Sequence, residues 1–269
     1  MDYGAHFYKS DFQVHSPRDT NWEGACPTTD EERRHYAQEF VAACRAKGVQ
    51  AVAITDHHDL SFFKYIREAA LSETDDSGKP LAIQDRLVVF PGMELTLAVP
   101  CQALLLLDAD FPVDLLPQVV QAVSVRPTPD SDPKHPTPTR LEHIKTFEDL
   151  YVELNKKDFL HRRFIVLPHV GESGDFSMLR KGMATRYKNM PCVGGYMDGP
   201  VTQHGKGNSD IVNGISKEWG NKAIALFQTS DSRSRNFAKL GSHVTWVKWV
   251  RPTAEALRQA CLARHSRIS

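Results

Sequence analysis

Val49-Gln50-Ala51-Val52-Ala53-Ile54-Thr55-Asp56-His57-His58-Asp59 is the stretch on which the reading of this chain turns. Its first part, 49–54, is apolar apart from Gln50 and rich in small and β-branched residues, as expected of a strand buried on both faces. A threonine, carboxylates and imidazoles then follow at once. Burying His, Asp or Glu is costly unless the group is paired or bound to metal. A strand that runs straight into such residues therefore points to ligands delivered at one rim of a sheet or barrel.

The juxtaposition recurs along the chain. Asp11-Phe12-Gln13-Val14-His15 carries it near the start, and Gly92-Met93-Glu94 follows a strand expected over 87–90. Pro168-His169 follows one over 164–167, and Ser230-Asp231-Ser232-Arg233 follows one over 222–227. Further strands are expected over 103–107 and 192–196. Trp246-Val247-Lys248-Trp249 reads as a last strand with aromatic packing and no ligand role.

Helical segments lie between these runs. Thr28 with Glu31, or Thr29 with Glu32, offers a capping box. Tyr36, Phe40 and Cys44 then recur at helical spacing, and Gly48 supplies the stop. Helices are also expected over 61–71, 113–123, 147–156 and, as a closing element, 253–263. Such alternation predicts an α/β fold, either a parallel barrel or an open sheet. Two stretches read as loops: 73–80, and 126–139 with its five prolines, expected to be extended and exposed. Neither half of the chain holds a full ligand set without the other, so one domain over 1–269 is expected.

Bulk composition narrows the function less. Lys plus Arg and Asp plus Glu both number 33 in 269 residues, so net charge gives no sign of nucleic-acid or membrane affinity; a local basic groove is compatible with that balance. Residues 1–10 hold no apolar segment of the signal-peptide kind. The longest apolar run, 103–107, is far too short to cross a bilayer. Five widely spaced cysteines without a CxxC pair argue against a disulfide framework and for a reduced cytoplasm. There is no GxxxxGK[ST] sequence, hence no P-loop.

Taken in order, Asp11-Phe12-Gln13-Val14-His15-Ser16, Thr55-Asp56-His57, Gly92-Met93-Glu94, Pro168-His169 and Ser230-Asp231-Ser232-Arg233 resemble the motifs of the PHP (polymerase and histidinol phosphatase) family of metal-dependent phosphoesterases. The resemblance extends from Asp11 to Arg233, and PHP domains of this kind stand at the N-terminus of PHP–ATPase proteins. It implies a distorted (β/α)7 barrel with a metal cluster at the C-terminal rim of its strands. It also implies hydrolysis of a phosphomonoester, a nucleotide or a nucleic acid by metal-activated water, with an ATPase as partner or neighbouring domain. Amidohydrolase-like barrels also gather His and Asp at strand ends, but the T-D-H motif and Glu94 favour PHP.

Three departures modify the expectation. Gln13 stands where the family has the first His of H-x-H, Gln102 where it often has a His after the glutamate motif, and Arg233 where the last motif ends in His. Gln ligates a borderline metal more weakly than imidazole does, and Arg cannot ligate at all. One or two ions of Mn, Zn or Fe are therefore expected rather than three. His15, Glu94 and Asp231 would form one position, Glu94 and His169 a second. His57 with Asp19 would be left over, and Gln13 and Gln102 are the weak candidates.

For catalysis the resemblance points to Arg233 as a bidentate partner of the phosphoryl group. His57 would be a ligand or proton donor, with Asp56 beside it. His204 and Lys206, in a glycine-bearing loop, are candidates for approach to a phosphate; a flexible surface loop is the plainer reading of that stretch. The rival to an enzyme is a degenerate PHP domain that binds a ligand or partner without turnover, which the two glutamines and Arg233 favour.

Overall fold

The computed structural model describes residues 4–129, 132–134, 140–172 and 174–269. Eight strands appear among them: β1 (His6–Val14), β2 (Ala51–Ile54), β3 (Val88–Thr96), β4 (Gln102–Leu107), β5 (Phe164–Pro168), β6 (Gly194–Asp198), β7 (Ala225–Thr229) and β8 (Thr245–Trp249). The helices are α1 (Asp30–Ala46), α2 (Phe63–Leu71), α3 (Leu116–Ala122), α4 (Phe147–Asn155), α5 (Ala184–Asn189), α6 (Lys206–Val212), α7 (Ala254–Leu262) and α8 (Arg264–Arg267). Of the two capping boxes open to α1, Thr29 with Glu32 forms: Glu32 N–H donates to the Thr29 hydroxyl, and the Thr29 N–H donates back to the Glu32 carboxylate.

The hydrogen bonding draws a curled sheet in two parts, not an unbroken parallel barrel. One sheet has the order β5-β4-β3-β2-β1-β8, and β6 and β7 form a second, parallel pair. β1, β2 and β3 run parallel, whereas β4 is antiparallel to both its neighbours and β8 is antiparallel to β1. The reason is visible in the chain: 97–101 between β3 and β4 is too short for a parallel crossover, which needs a dozen or so residues. The two sheets are stitched at the rim, by a parallel bridge from His169 to Tyr196 and another from Val14 to Ser232.

Strands β2 to β5 alternate between two cores. Phe12, Ala51, Ala53, Phe90, Leu104, Leu106, Ile165, Leu167, Tyr196, Ala225, Phe227, Val247 and Trp249 face inward and fill the curl. Phe90 meets both Phe12 and Trp249 edge-on, at 5.6 and 5.8 Å between centroids, a favoured aromatic geometry. From α7, Ala254, Leu257, Ala260 and Cys261 plug the lower end; the Ala254 N–H donates to Asp108, just past β4, at 2.8 Å. The outward residues, such as Val52, Ile54, Met93 and Leu105, pack under Tyr36, Phe40, Ile66 and Leu150 of the surrounding helices. All five cysteines are free thiols. No helix among the described residues is long and apolar enough to cross a membrane.

Candidate metal centre

The inner face leads directly to the site, because each polar island continues the two-residue period of the strand before it. Ala51 and Ala53 are followed inward by Thr55 and His57, Phe90 by Gly92 and Glu94, Ile165 and Leu167 by His169, and Ala225 and Phe227 by Thr229 and Asp231. Close approach explains Gly92: a Cβ there would lie 2.8 Å from Leu106 Cδ2 and 2.9 Å from Thr55 Cγ2. β1 reaches the same rim by a bulge. Three steps from Asp11 to Val14 match two from Val52 to Ile54. The extra residue reverses the alternation: Phe12 belongs to the inner core, yet Gln13 also turns inward, to Thr229 (2.7 Å) and Glu94 (3.4 Å).

Three of these ends converge, and a fourth, at Asp231, adjoins His15. His15 Nε2 lies 3.2 Å from Asp231 Oδ1 and 3.5 Å from Glu94 Oε2. His57 Nε2 lies 3.4 Å from the same Glu94 oxygen. Donors about 2.1 Å from a tetrahedral ion stand about 3.4 Å apart, so this spacing suits a zinc-sized cation. His15, His57 and Glu94 are all buried. His15 Nε2 makes no well-directed hydrogen bond to the protein despite its two carboxylate neighbours.

Behind the imidazoles stands Asp19, fully buried. Its Oδ2 lies 3.1 Å from His15 Nδ1 and 2.8 Å from His57 Nδ1, and accepts the His57 backbone N–H at 2.9 Å. The two rings stack with centroids 5.4 Å apart and planes 16° from parallel. Burial disfavours a charged His15, but Asp19 and then Asp231 outweigh it and push the imidazole up to about 10. Asp231 moves the opposite way: against burial, His15 and Arg233 hold it well below the usual carboxylate range. Asp231 is reached with φ +48°, an uncommon conformation for a non-glycine residue.

Arg233 turns into this ring of carboxylates. Its guanidinium lies 2.8 Å from Asp231 Oδ1, 3.4 Å from Asp19 Oδ1 and 3.6 Å from Glu94 Oε2. Despite burial, Asp231, Glu94 and Asp19 keep it firmly protonated. A fixed cation thus already sits beside the converging donors.

The opposite wall is sparser. His169 pairs with Asp198 Oδ2 at 3.9 Å and is in no group of three acidic or imidazole side chains whose ligand atoms all lie within 4.8 Å, among the described residues. Its Nδ1 is buried without a hydrogen bond, and burial lowers its affinity for a proton. Glu94 Oε1, the atom that could reach toward it, accepts the Tyr196 hydroxyl at 3.0 Å. Gln102 contributes its backbone: the His169 N–H donates to the Gln102 carbonyl at 2.8 Å. Asp198 and Tyr196 were not among the sequence candidates, although Gly194, Tyr196 and Asp198 continue the same inward period. Burial, then Asp231 and Glu94, push the Asp198 carboxyl up to about 7.

Other polar side chains near the rim are engaged in hydrogen bonds. Asp56 accepts the Ser16 N–H at 2.6 Å and the Ser16 hydroxyl at 2.5 Å. Asp11 likewise accepts from Ser230, at 3.1 Å from its N–H. Burial raises both carboxyls, Asp56 to about 7 with help from Asp19 and Asp11 to about 6. His58 accepts the Thr96 N–H at 3.0 Å, and Asp59 accepts the Ser61 N–H at 2.9 Å.

The His204–Lys206 loop is bonded largely within the chain. His204 Nε2 is bonded to the Val170 carbonyl at 2.7 Å, while Glu172 takes the Gly205 N–H and the Asn208 amide, each at 2.9 Å. The start of α6 therefore already has an anion, and Lys206 is exposed. Of the proline-rich loop, 130–131 and 135–139 lie outside the described residues. Its described part is tied to the rim by buried Arg18, which donates to the carbonyls of Thr128 (3.4 Å), Pro129 (3.1 Å) and Asp132.

No family model matches the chain, and neither does any curated protein. Solved structures do share its fold. The lesion-specific endonuclease PfuEndoQ from Pyrococcus furiosus matches with a TM-score of 0.58 and 15% identity, over 96% of this chain and 56% of that one. Endonuclease Q in complex with a 27-mer duplex substrate, an abasic lesion at its active site, matches at 0.54 and 13%, over 95% and 56%. PsfC from Pseudomonas syringae PB-5123 matches at 0.51 and 13%, over 94% and 88%. The chain spans a little over half the length of the endonuclease Q chains, and at these identities the likeness is one of fold: an α/β fold with a curled sheet.

Proposed function

We propose that the protein is a PHP-type, metal-dependent phosphoesterase whose first ion is held by His15, His57, Glu94 and Asp231. The observation that carries this reading is the convergence of His15 Nε2, His57 Nε2 and one Glu94 oxygen from three strand ends at ligand spacing, with Asp231 3.2 Å from His15. A bound divalent ion would polarise a phosphoryl oxygen and lower the pKa of water. The chain's own contribution is separate. Arg233, fixed between Asp231 and Asp19, would offer N–H donors to phosphoryl oxygens as charge builds on them. His169 and Asp198 would line the opposite side and could hold a second ion there. Asp56 would brace Ser16 rather than meet substrate. Gln13 would position Glu94, and Gln102 would position His169.

The nucleic acid in the endonuclease Q structure makes a phosphodiester the first substrate to try, beside phosphomonoesters. The test is hydrolysis of bis(p-nitrophenyl) phosphate, p-nitrophenyl phosphate and an abasic-lesion duplex with Mn²⁺ or Zn²⁺. Turnover of at least one, lost in Asp231→Ala, supports the reading; a chain that neither takes up metal nor hydrolyses any of them contradicts it. A binding module without turnover is the second reading, favoured by one observation, that Arg233 fills part of the carboxylate ring. Metal uptake without hydrolysis of any of the three would select it.

A further inference from the structure

We infer that Asp19 is a positioning residue of the metal centre: one buried carboxylate that sets the tautomer and the stacking of both ligand imidazoles. The inference rests on the metal reading above and departs from placing Asp19 among the ligands. A carboxylate oxygen that faces the Nδ1 of two rings favours a proton on each of those nitrogens, which leaves each Nε2 with its lone pair free. The geometry has that form. Both Nδ1 atoms meet Asp19 Oδ2, while the Nε2 atoms stand 3.5 and 3.4 Å from the same Glu94 oxygen on the other side of the rings.

Asp19 is itself held from several directions. Its Oδ1 accepts the Asn21 N–H at 2.8 Å and faces Arg233 Nη1 at 3.4 Å, while Oδ2 also takes the His57 N–H. The loop after β1 and the end of β2 are thereby locked to one carboxylate, and the two rings are kept near-parallel. An asparagine in its place has one acceptor oxygen and an amide that donates. With that oxygen toward the two Nδ1–H groups, its amide meets the Asn21 N–H and Arg233 donor to donor; with the oxygen toward those, the amide meets both Nδ1–H groups. One ring would have to turn, or carry its proton on Nε2, where it could no longer ligate.

The test uses full-length protein with ¹⁵N-labelled histidine, titrated with Zn²⁺ alone and followed by calorimetry and long-range ¹H–¹⁵N spectra. For the wild type, Zn²⁺ should bind with His15 and His57 both ligated through Nε2 and protonated at Nδ1. Asp19→Asn should bind Zn²⁺ about 10–100-fold more weakly, the usual cost of losing an imidazole's outer partner, with one histidine showing the other tautomer. Ligation through Nδ1 of either ring in the wild type overturns the inference and spares the metal reading. So does a folded Asp19→Asn with wild-type affinity. Should that variant not fold, the wild-type spectrum decides alone. A wild type that takes no Zn²⁺ overturns both.

Discussion

On the β1–β2–β3–β7 side of the rim, His15, His57, Glu94 and Asp231 bring four potential donor atoms to neighbour spacings of 3.2–3.5 Å, with Arg233 against them. On the β4–β5–β6 side, His169 and Asp198 stand 3.9 Å apart and Gln102 offers its backbone. The two sides share one construction, in which apolar inward residues give way to polar ones at the strand end. They differ in what backs the polar groups. The first side has Asp19, Gln13 and Tyr196 holding its imidazoles and carboxylate in place. On the second side His169 keeps a buried nitrogen without a hydrogen bond. Preorganised donors bind a cation without first having to be ordered, so the two sides should differ in affinity as they differ in support.

That contrast can be broken most completely at Glu94, which His15, His57 and Arg233 all approach. Glu94→Gln is expected to abolish tight uptake of Zn²⁺ or Mn²⁺, as measured by equilibrium dialysis. A variant that still binds stoichiometrically would show that the first side is not the centre. Arg233→Gln should spare metal uptake and lower the hydrolysis rate about 10²–10³-fold, the usual loss for one preorganised donor to a developing oxyanion; unchanged kcat would remove Arg233 from the chemistry.

The second side is probed more finely at Gly171, where a Cβ would stand 2.7 Å from His169 Nε2. Gly171→Ala should push that imidazole aside and weaken binding of a second ion while leaving the first intact, a difference that calorimetric titration resolves into two steps. The smallest effect serves as a reference remote from both sides. Thr29→Ala removes the α1 cap and should cost about 1 kcal/mol of stability by chemical denaturation, with metal content unchanged.

The rim that both sides share is legible in the sequence, because the fold repeats one device. The apolar run of β2 followed by His57, and that of β5 followed by His169, locate the rim. The Thr29–Glu32 box marks the start of α1. What escaped reading has physical causes. β4 looks like any buried strand; its direction is set by the shortness of 97–101, not by its composition. The bulge in β1 cannot be seen in an alternation that would turn Phe12 and Gln13 to opposite faces. Asp198 lies two residues beyond the expected end of its strand, and its period becomes visible only with Gly194 and Tyr196 in register. The inward turn of Arg233 depends on the combined field of Asp19, Glu94 and Asp231, which come from three separate segments.

The central claim is that the β1–β2–β3–β7 side holds the metal more firmly. Plasma mass spectrometry of chelator-free wild type, Asp231→Ala and His169→Ala tests it most directly. The account predicts at least one transition-metal ion per wild-type chain, most of it lost in Asp231→Ala, and at least one retained in His169→Ala. A wild type that stays empty after incubation with Mn²⁺ and Zn²⁺, or a His169→Ala variant that loses all metal while Asp231→Ala keeps it, would contradict the account.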